Sequence, residues 1–271
     1  MNDRVTVDIR DGVADVRLVR TDKMNALDDA MFSALIETGE RLKGEAGVRA
    51  VVLSGEGRAF CAGLDMGSFQ AMASGGAARN RDTSASLLTP KRTEGGANRA
   101  QHACMVWREI PVPVIAAVHG VAFGGGFQLA LGADLRFVAA DVKMAVLEIK
   151  WGLIPDMAGM VLMRGLVRDD VARELTYSGR IFGGEEAVAM GLATRVCADP
   201  RAEALALAVE IAGKNPHAIR AGKRLLNMMG DADPHALLLQ ESQEQGALIG
   251  SANQVEAVTA NLQKRAAVYA D

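Results

Sequence analysis

Val112-Pro113-Val114-Ile115-Ala116-Ala117-Val118 and, shortly after it, Gly124-Gly125-Gly126-Phe127-Gln128-Leu129-Ala130-Leu131 form the stretch whose reading decides the fold. The first run is short, apolar and rich in β-branched residues, which predicts a buried strand. Phe127 to Leu131 predicts the opening turns of a buried helix. Glycines at such a junction leave bare N–H groups at a helix start. Those groups have no intrahelical partner, and the helix dipole favours negative charge beside them. Glycine also lets a ligand come close to the backbone. The junction therefore offers a seat for an anion, or for an oxygen that becomes one. The competing reading is close packing of the helix on the strand. Two nucleotide loops fail on spacing. No Lys-Ser or Lys-Thr follows the glycines, and the third position of the dinucleotide pattern is Leu129.

The chain has 271 residues, 49% of them apolar, and a net charge of −3. That is ample for a large core, and acids and bases are mixed throughout. Without a basic block, nucleic acid is not an expected partner. No apolar run reaches membrane-spanning length, and Met1-Asn2-Asp3-Arg4 does not open like a signal peptide. Cys61, Cys104 and Cys197 are odd in number and far apart. They suit a reducing compartment, with cytoplasm as the expectation, and neither a disulfide framework nor a metal site.

Working outward, Val5–Ile9 and Val13–Val19 flank Asp11-Gly12 and predict a hairpin. Asn25-Ala26-Leu27-Asp28 opens an amphipathic helix with Met31, Ala34, Leu35 and Leu42 on one face. Ala50–Ser54 is a buried strand. Ala59–Asp65 is a second place where small residues bring backbone within reach of a ligand. The Gly/Ser/Thr/Asn-rich segment 74–98 reads as a loop. A helix follows over Ala100–Glu109. Beyond the glycines come strands at Asp134–Val138, Lys143–Val146 and Thr194–Val196, with helices at 158–166, 170–177 and 183–191. From Arg201 the pattern is helical, with breaks at Asn215-Pro216 and Asp233-Pro234. The expectation is an α/β core over 1–200 and a helical C-terminal region over 201–271 that covers the pocket or a partner subunit.

These segments together resemble the crotonase superfamily, the enoyl-CoA hydratases and isomerases, over nearly the whole length. The resemblance rests on Arg20–Leu27, Gly57–Met66, Pro113–Gly120 with the triple glycine, Ala133–Arg136, Trp151–Pro155 and Thr176–Arg180. It implies a spiral of ββα units, assembly as a homotrimer or a dimer of trimers, and an acyl-CoA thioester substrate. Coenzyme A arrives with the substrate, so no separate cofactor is implied. By motif position the backbone N–H groups of Leu64 and Gly125 form the oxyanion hole. Ala62, Gly63, Asp65 and Met66 fall beside the adenine, and Lys23 and Met24 beside the ribose and phosphates. Read alone, Lys23 is a solvated surface lysine. Gly124 and Gln128 complete the expected substrate contacts.

In the hydratases two glutamates handle water and proton, and their positions here hold Gln128 and Glu148. Glutamine holds groups by hydrogen bonds but carries no proton at neutral pH. A second carboxylate, Asp156, stands where several isomerases of the superfamily carry one. Glu148 and Asp156 are therefore the candidate catalytic acids. Read alone, Asp156 would be the N-cap of a helix starting near Met157, and Glu148 a structural acid. The resemblance leads first to double-bond isomerisation of an enoyl-CoA or dienoyl-CoA. Hydration of a 2-enoyl-CoA, non-catalytic acyl-CoA binding, and attack by Asp156 as a nucleophile remain as alternatives.

Overall fold

The structure is a computed structural model that describes residues 3–74 and 91–271. In chain order, the first half holds β1 (Val5–Arg10), β2 (Val13–Leu18), α1 (Asp29–Lys43), β3 (Ala50–Gly55), α2 (Met66–Ala73) and α3 (Arg99–Glu109). The central part holds β4 (Val114–Val118), β5 (Val121–Phe123), α4 (Gly125–Leu131), β6 (Leu135–Ala139) and β7 (Lys143–Ala145). Then follow α5 (Gly159–Met163), α6 (Asp169–Ser178), α7 (Gly184–Met190) and β8 (Arg195–Cys197). Four helices close the chain: α8 (Pro200–Ala212), α9 (Pro216–Met228), α10 (Pro234–Leu248) and α11 (Ala252–Leu262).

β1 and β2 form the antiparallel hairpin that Asp11-Gly12 predicts, and both turn residues have positive φ. From β2 onward the pairing is parallel, giving a six-stranded mixed sheet in the order β1-β2-β3-β4-β6-β8. The continuous apolar runs of β3 and β4 follow from burial on both faces. Val51, Leu53, Val114, Ala116 and Val118 join the main core, under α1, α3 and α4. Val52, Ile115 and Ala117 join a second cluster, with Ala204, Ala208 and Ala212 of α8. The expected boundary at 200/201 therefore falls at the start of a helix that covers the sheet. Small alanines let α8 lie close against the strands, so it belongs to the core, and the appendage begins with α9.

A second ladder runs beside the sheet. β5 pairs parallel with β7, and isolated bridges extend the line through Leu27 with Leu64, Cys61 with Ala122, and Met144 with Phe182. Each turn of the chain thus places one strand in the large sheet and one short strand in this ladder before a helix. β5 escaped the sequence reading because three residues, Val121-Ala122-Phe123, leave too little length for a period. Helix α2 was also unforeseen; Asp65 caps it by accepting from the Gly67 N–H at 2.8 Å. The expected helix over 158–166 is shorter, ending at Met163. Residues 75–90 of the expected loop lie outside the described residues. Among the described residues, no helix is long and apolar enough to cross a membrane.

Candidate active site

The site forms where the second ladder ends. Cys61 N donates to Val121 O at 3.1 Å and Phe123 N to Cys61 O at 3.2 Å. Gly63 then takes a positive φ of 88°, which an L side chain adopts at a cost. The chain next pairs with Leu27, whose N–H donates to Gly63 O at 2.8 Å and whose carbonyl accepts from Asp65 N at 3.0 Å. In that parallel bridge the Leu64 N–H points away from Leu27, toward the side on which Phe123–Gly125 runs. A methyl built on Gly63 would lie 3.7 Å from Gly125 N. Among the described residues, neither the Leu64 nor the Gly125 amide has a hydrogen-bond partner. Two open N–H groups on facing segments can hold one oxygen. Each preorganised donor of this kind lowers a barrier by about 3–4 kcal/mol when charge develops on that oxygen.

The three glycines have three separate reasons. Gly124 has φ 50° and ψ −117°, a region open to glycine alone. A Cβ there would approach Glu148 Oε1 at 3.2 Å, and its amide already donates to Ala145 O. Gly124 thus makes room for the acid and offers no N–H to a ligand. On Gly125 a Cβ would meet Met157 Sδ at 2.7 Å and Leu27 Cδ1 at 2.9 Å. On Gly126 it would strike the Cys61 carbonyl oxygen at 2.3 Å. The close-packing reading and the ligand-seat reading of this stretch therefore describe different atoms of the same turn.

Glu148 sits in the 3-10 turn Glu148–Trp151, 9% exposed. Its Oε1 accepts from Gln128 Nε2 at 2.6 Å, and its Oε2 is buried without a hydrogen-bond partner among the described residues. Burial raises the carboxyl pKa, and the Asp156 charge adds to the rise. The Gln128 donor and the nearby Glu148 and Leu147 amides, which fall short of hydrogen-bond geometry, oppose it. Asp156 is accessible to water, yet enough protein surrounds it to raise its pKa too. That combination suits a group on a cleft wall. Asp156 is not the helix cap considered above. The N-cap position of α5 is Ala158, at φ 70° and with no side-chain cap.

The capping is done by Gln128, which corrects its assignment as a substrate contact. Gln128 is 1% exposed. Its Oε1 accepts from Met157 N at 2.9 Å and Gly159 N at 2.8 Å, while its Nε2 faces Glu148. Those bonds spend the side chain inside the protein. Asp65 is similarly committed: its carboxylate caps α2 and pairs with Arg20 at 2.7 Å. The Gly67 N–H and then Arg20, outweighing burial, hold its pKa low. Its backbone is committed as well, the N–H to Leu27 O at 3.0 Å and the carbonyl to Ser68 N at 3.0 Å, while Ala62 is half-buried and Met66 exposed. Lys23 is exposed in a 3-10 turn that ends on Met24, left-handed at φ 49°. Met24 O accepts from Ala62 N, so the two expected coenzyme segments do adjoin.

Sequence reasoning missed two features. Met157 and Leu27 wall the Gly125 amide. Phe69 of α2 stacks on Trp151 with centroids 4.1 Å apart, joining the segment after Leu64 to the turn of Glu148. The second had only half a signal, since Trp151 lies in a motif already singled out and Phe69 does not. Away from the cleft, Glu40, His102 and Glu109 cluster closely enough to hold a cation, but the Lys43 ammonium already bonds Glu40 at 2.8 Å and also pairs with Glu109.

Comparison with known proteins bears on the family and the fold. The family model described as "Enoyl-CoA hydratase/isomerase" matches residues 8–271. A Bacillus subtilis protein named "Probable enoyl-CoA hydratase" is 32% identical over 245 residues, 89% of each chain. The human mitochondrial Delta(3,5)-Delta(2,4)-dienoyl-CoA isomerase is 31% identical over 224 residues, 78% of this chain and 64% of that protein. The crystal structure of an enoyl-CoA hydratase from Bacillus anthracis superposes with a TM-score of 0.85 at 26% identity, covering 98% of both chains. The fold, the family match and these similarities lead to one conclusion: the chain belongs to the enoyl-CoA hydratase/isomerase, or crotonase, family.

Proposed function

We propose that this enzyme moves a double bond along the acyl chain of an enoyl-CoA or dienoyl-CoA. Glu148 and Asp156 carry the protons, and the Leu64 and Gly125 N–H groups stabilise the dienolate. The observation that carries the reading is the pair Gln128 and Glu148. The first is spent on internal hydrogen bonds, while the second keeps one buried oxygen open and has a raised pKa. A carboxyl group with a raised pKa accepts and returns a proton with a smaller energetic mismatch to a carbon acid. Removal of a proton puts negative charge on the thioester oxygen, where the two amides meet it.

Hydration is the second reading, and the water-accessible side of Asp156 favours it. The two separate on conjugation. Given a 3-enoyl-CoA, an isomerase gains the conjugated absorbance. Given crotonyl-CoA, a hydratase loses it and forms a 3-hydroxyacyl-CoA. Undiminished turnover of a 3-enoyl-CoA by Glu148→Gln would refute the assignment of Glu148. Binding without turnover of any enoyl, dienoyl or halogenated thioester would leave only a carrier role.

A further inference from the structure

We propose that Gln128 is a positioning residue that decides which oxygen of Glu148 carries the proton and, through the same side chain, fixes the backbone beside Asp156. The inference deepens the isomerase reading and rests on it. Gln128 Oε1 accepts two backbone N–H groups, from Met157 and Gly159. An NH2 group accepts nothing, so the backbone dictates the orientation of the amide. Gly159 is part of the device: a Cβ there would come within 2.7 Å of Gln128 Oε1. With Oε1 so placed, Nε2 must donate to Glu148 Oε1, at 2.6 Å. That oxygen is an acceptor in both protonation states. A proton taken up by Glu148 therefore resides on Oε2, the oxygen without a partner among the described residues.

The step balances without any further reactant. A carbon–hydrogen bond of the acyl chain breaks, and its proton bonds to Glu148 Oε2. The electron pair spreads into the thioester system and its oxygen. Return of a proton to another carbon restores the carboxylate. A glutamate at 128 could not serve as the same support. Its oxygen would face Glu148 Oε1 at hydrogen-bond distance, and the two acids would have to share a proton. One other titratable group affects Glu148. Asp156 raises its pKa through its charge. In the other direction, burial above all, helped by the Asp156 and Glu148 charges, raises the pKa of the Cys104 thiol.

The primary readout needs no turnover. Infrared difference spectra of the full-length protein against Glu148→Gln isolate the Glu148 carboxyl band, which is followed through a pH titration. Gln128→Met removes the donor and keeps the bulk. The titration midpoint of Glu148 is expected to rise by roughly one unit, with the acidic limb of kcat moving alongside it and KM little changed. Gln128→Glu, close in size, is expected to give two coupled steps in place of one. A single step at the wild-type midpoint in either folded variant overturns the proposal. If the wild type turns over no 3-enoyl-CoA, the isomerase reading fails alone, because the infrared titration still reports on Gln128.

Discussion

A methyl on Gly126 would lie 2.3 Å from the Cys61 carbonyl oxygen, and one on Gly63 2.5 Å from that of Phe123. On Gly222 of α9 or Gly246 of α10 it would meet nothing within 4 Å. The same contrast holds for apolar side chains. Leu27 and Met157 are buried around the Gly125 amide, whereas Leu238 and Leu239 of α10 and Leu262 of α11 are exposed, Leu262 at 80%. Near the cleft, glycine is required because backbone must pass backbone. In the last helices it is incidental, and the apolar side chains there face outward from this chain. One region is finished by its own contacts. The other carries more apolar surface than a solvated helix needs, which suits the expected contact with further copies.

The comparison can be broken most sharply by a single methyl. Gly126→Ala is expected to cost about 4 kcal/mol or more, or to prevent folding, since the new atom meets backbone. Gly246→Ala is expected to stabilise by up to about 1 kcal/mol through helix propensity. Thermal or urea unfolding measures both, and similar values for the two would end the distinction. Next in size, Glu148→Gln is expected to lower kcat for a 3-enoyl-CoA at least about 10²-fold while leaving the unfolding transition in place. Loss of both together would mean the buried acid serves the fold. Leu238→Glu or Leu262→Glu is expected to weaken self-association by about 2 kcal/mol per contact, seen by sedimentation velocity. A wild-type protein that sediments as a monomer would remove that contact.

The smallest effect concerns pH. The charge of Asp156 raises the pKa of Glu148, so Asp156→Asn is expected to lower it and to move the acidic limb of any remaining activity to lower pH. Stability follows the same sign. A carboxyl whose pKa is raised on folding supports the fold fully below its unfolded pKa, and that support fades as pH rises through the folded value. Asp156→Asn should recover part of the loss on the alkaline side. Denaturant midpoints across pH check this, and an unchanged profile would place Asp156 too far away to matter.

Much of the site was legible because it rests on short-range rules. Asp28 accepts from the Met31 N–H at 2.8 Å, as the cap before an amphipathic helix requires. Gly124 and Gly126 proved indispensable where the junction was read. Gln128 was less legible. Its type says only that it holds groups by hydrogen bonds, and its partners at 148, 157 and 159 are remote in the chain. For Asp156 a local rule, the cap, competed with a remote one, and the fold gave the capping to Gln128.

The amino-acid order alone determined the hairpin at Asp11-Gly12, the strands buried on both faces, the helical C-terminal part and the resemblance that named the family. Those depend on periodicity and on turn chemistry between neighbours. Only the tertiary structure decided that α8 closes the sheet, that Gly63 turns the Leu64 amide toward Gly125, and that Gln128 leaves one oxygen of Glu148 open. Each of these depends on which backbone groups are already paired when distant segments meet, and no local pattern encodes that count.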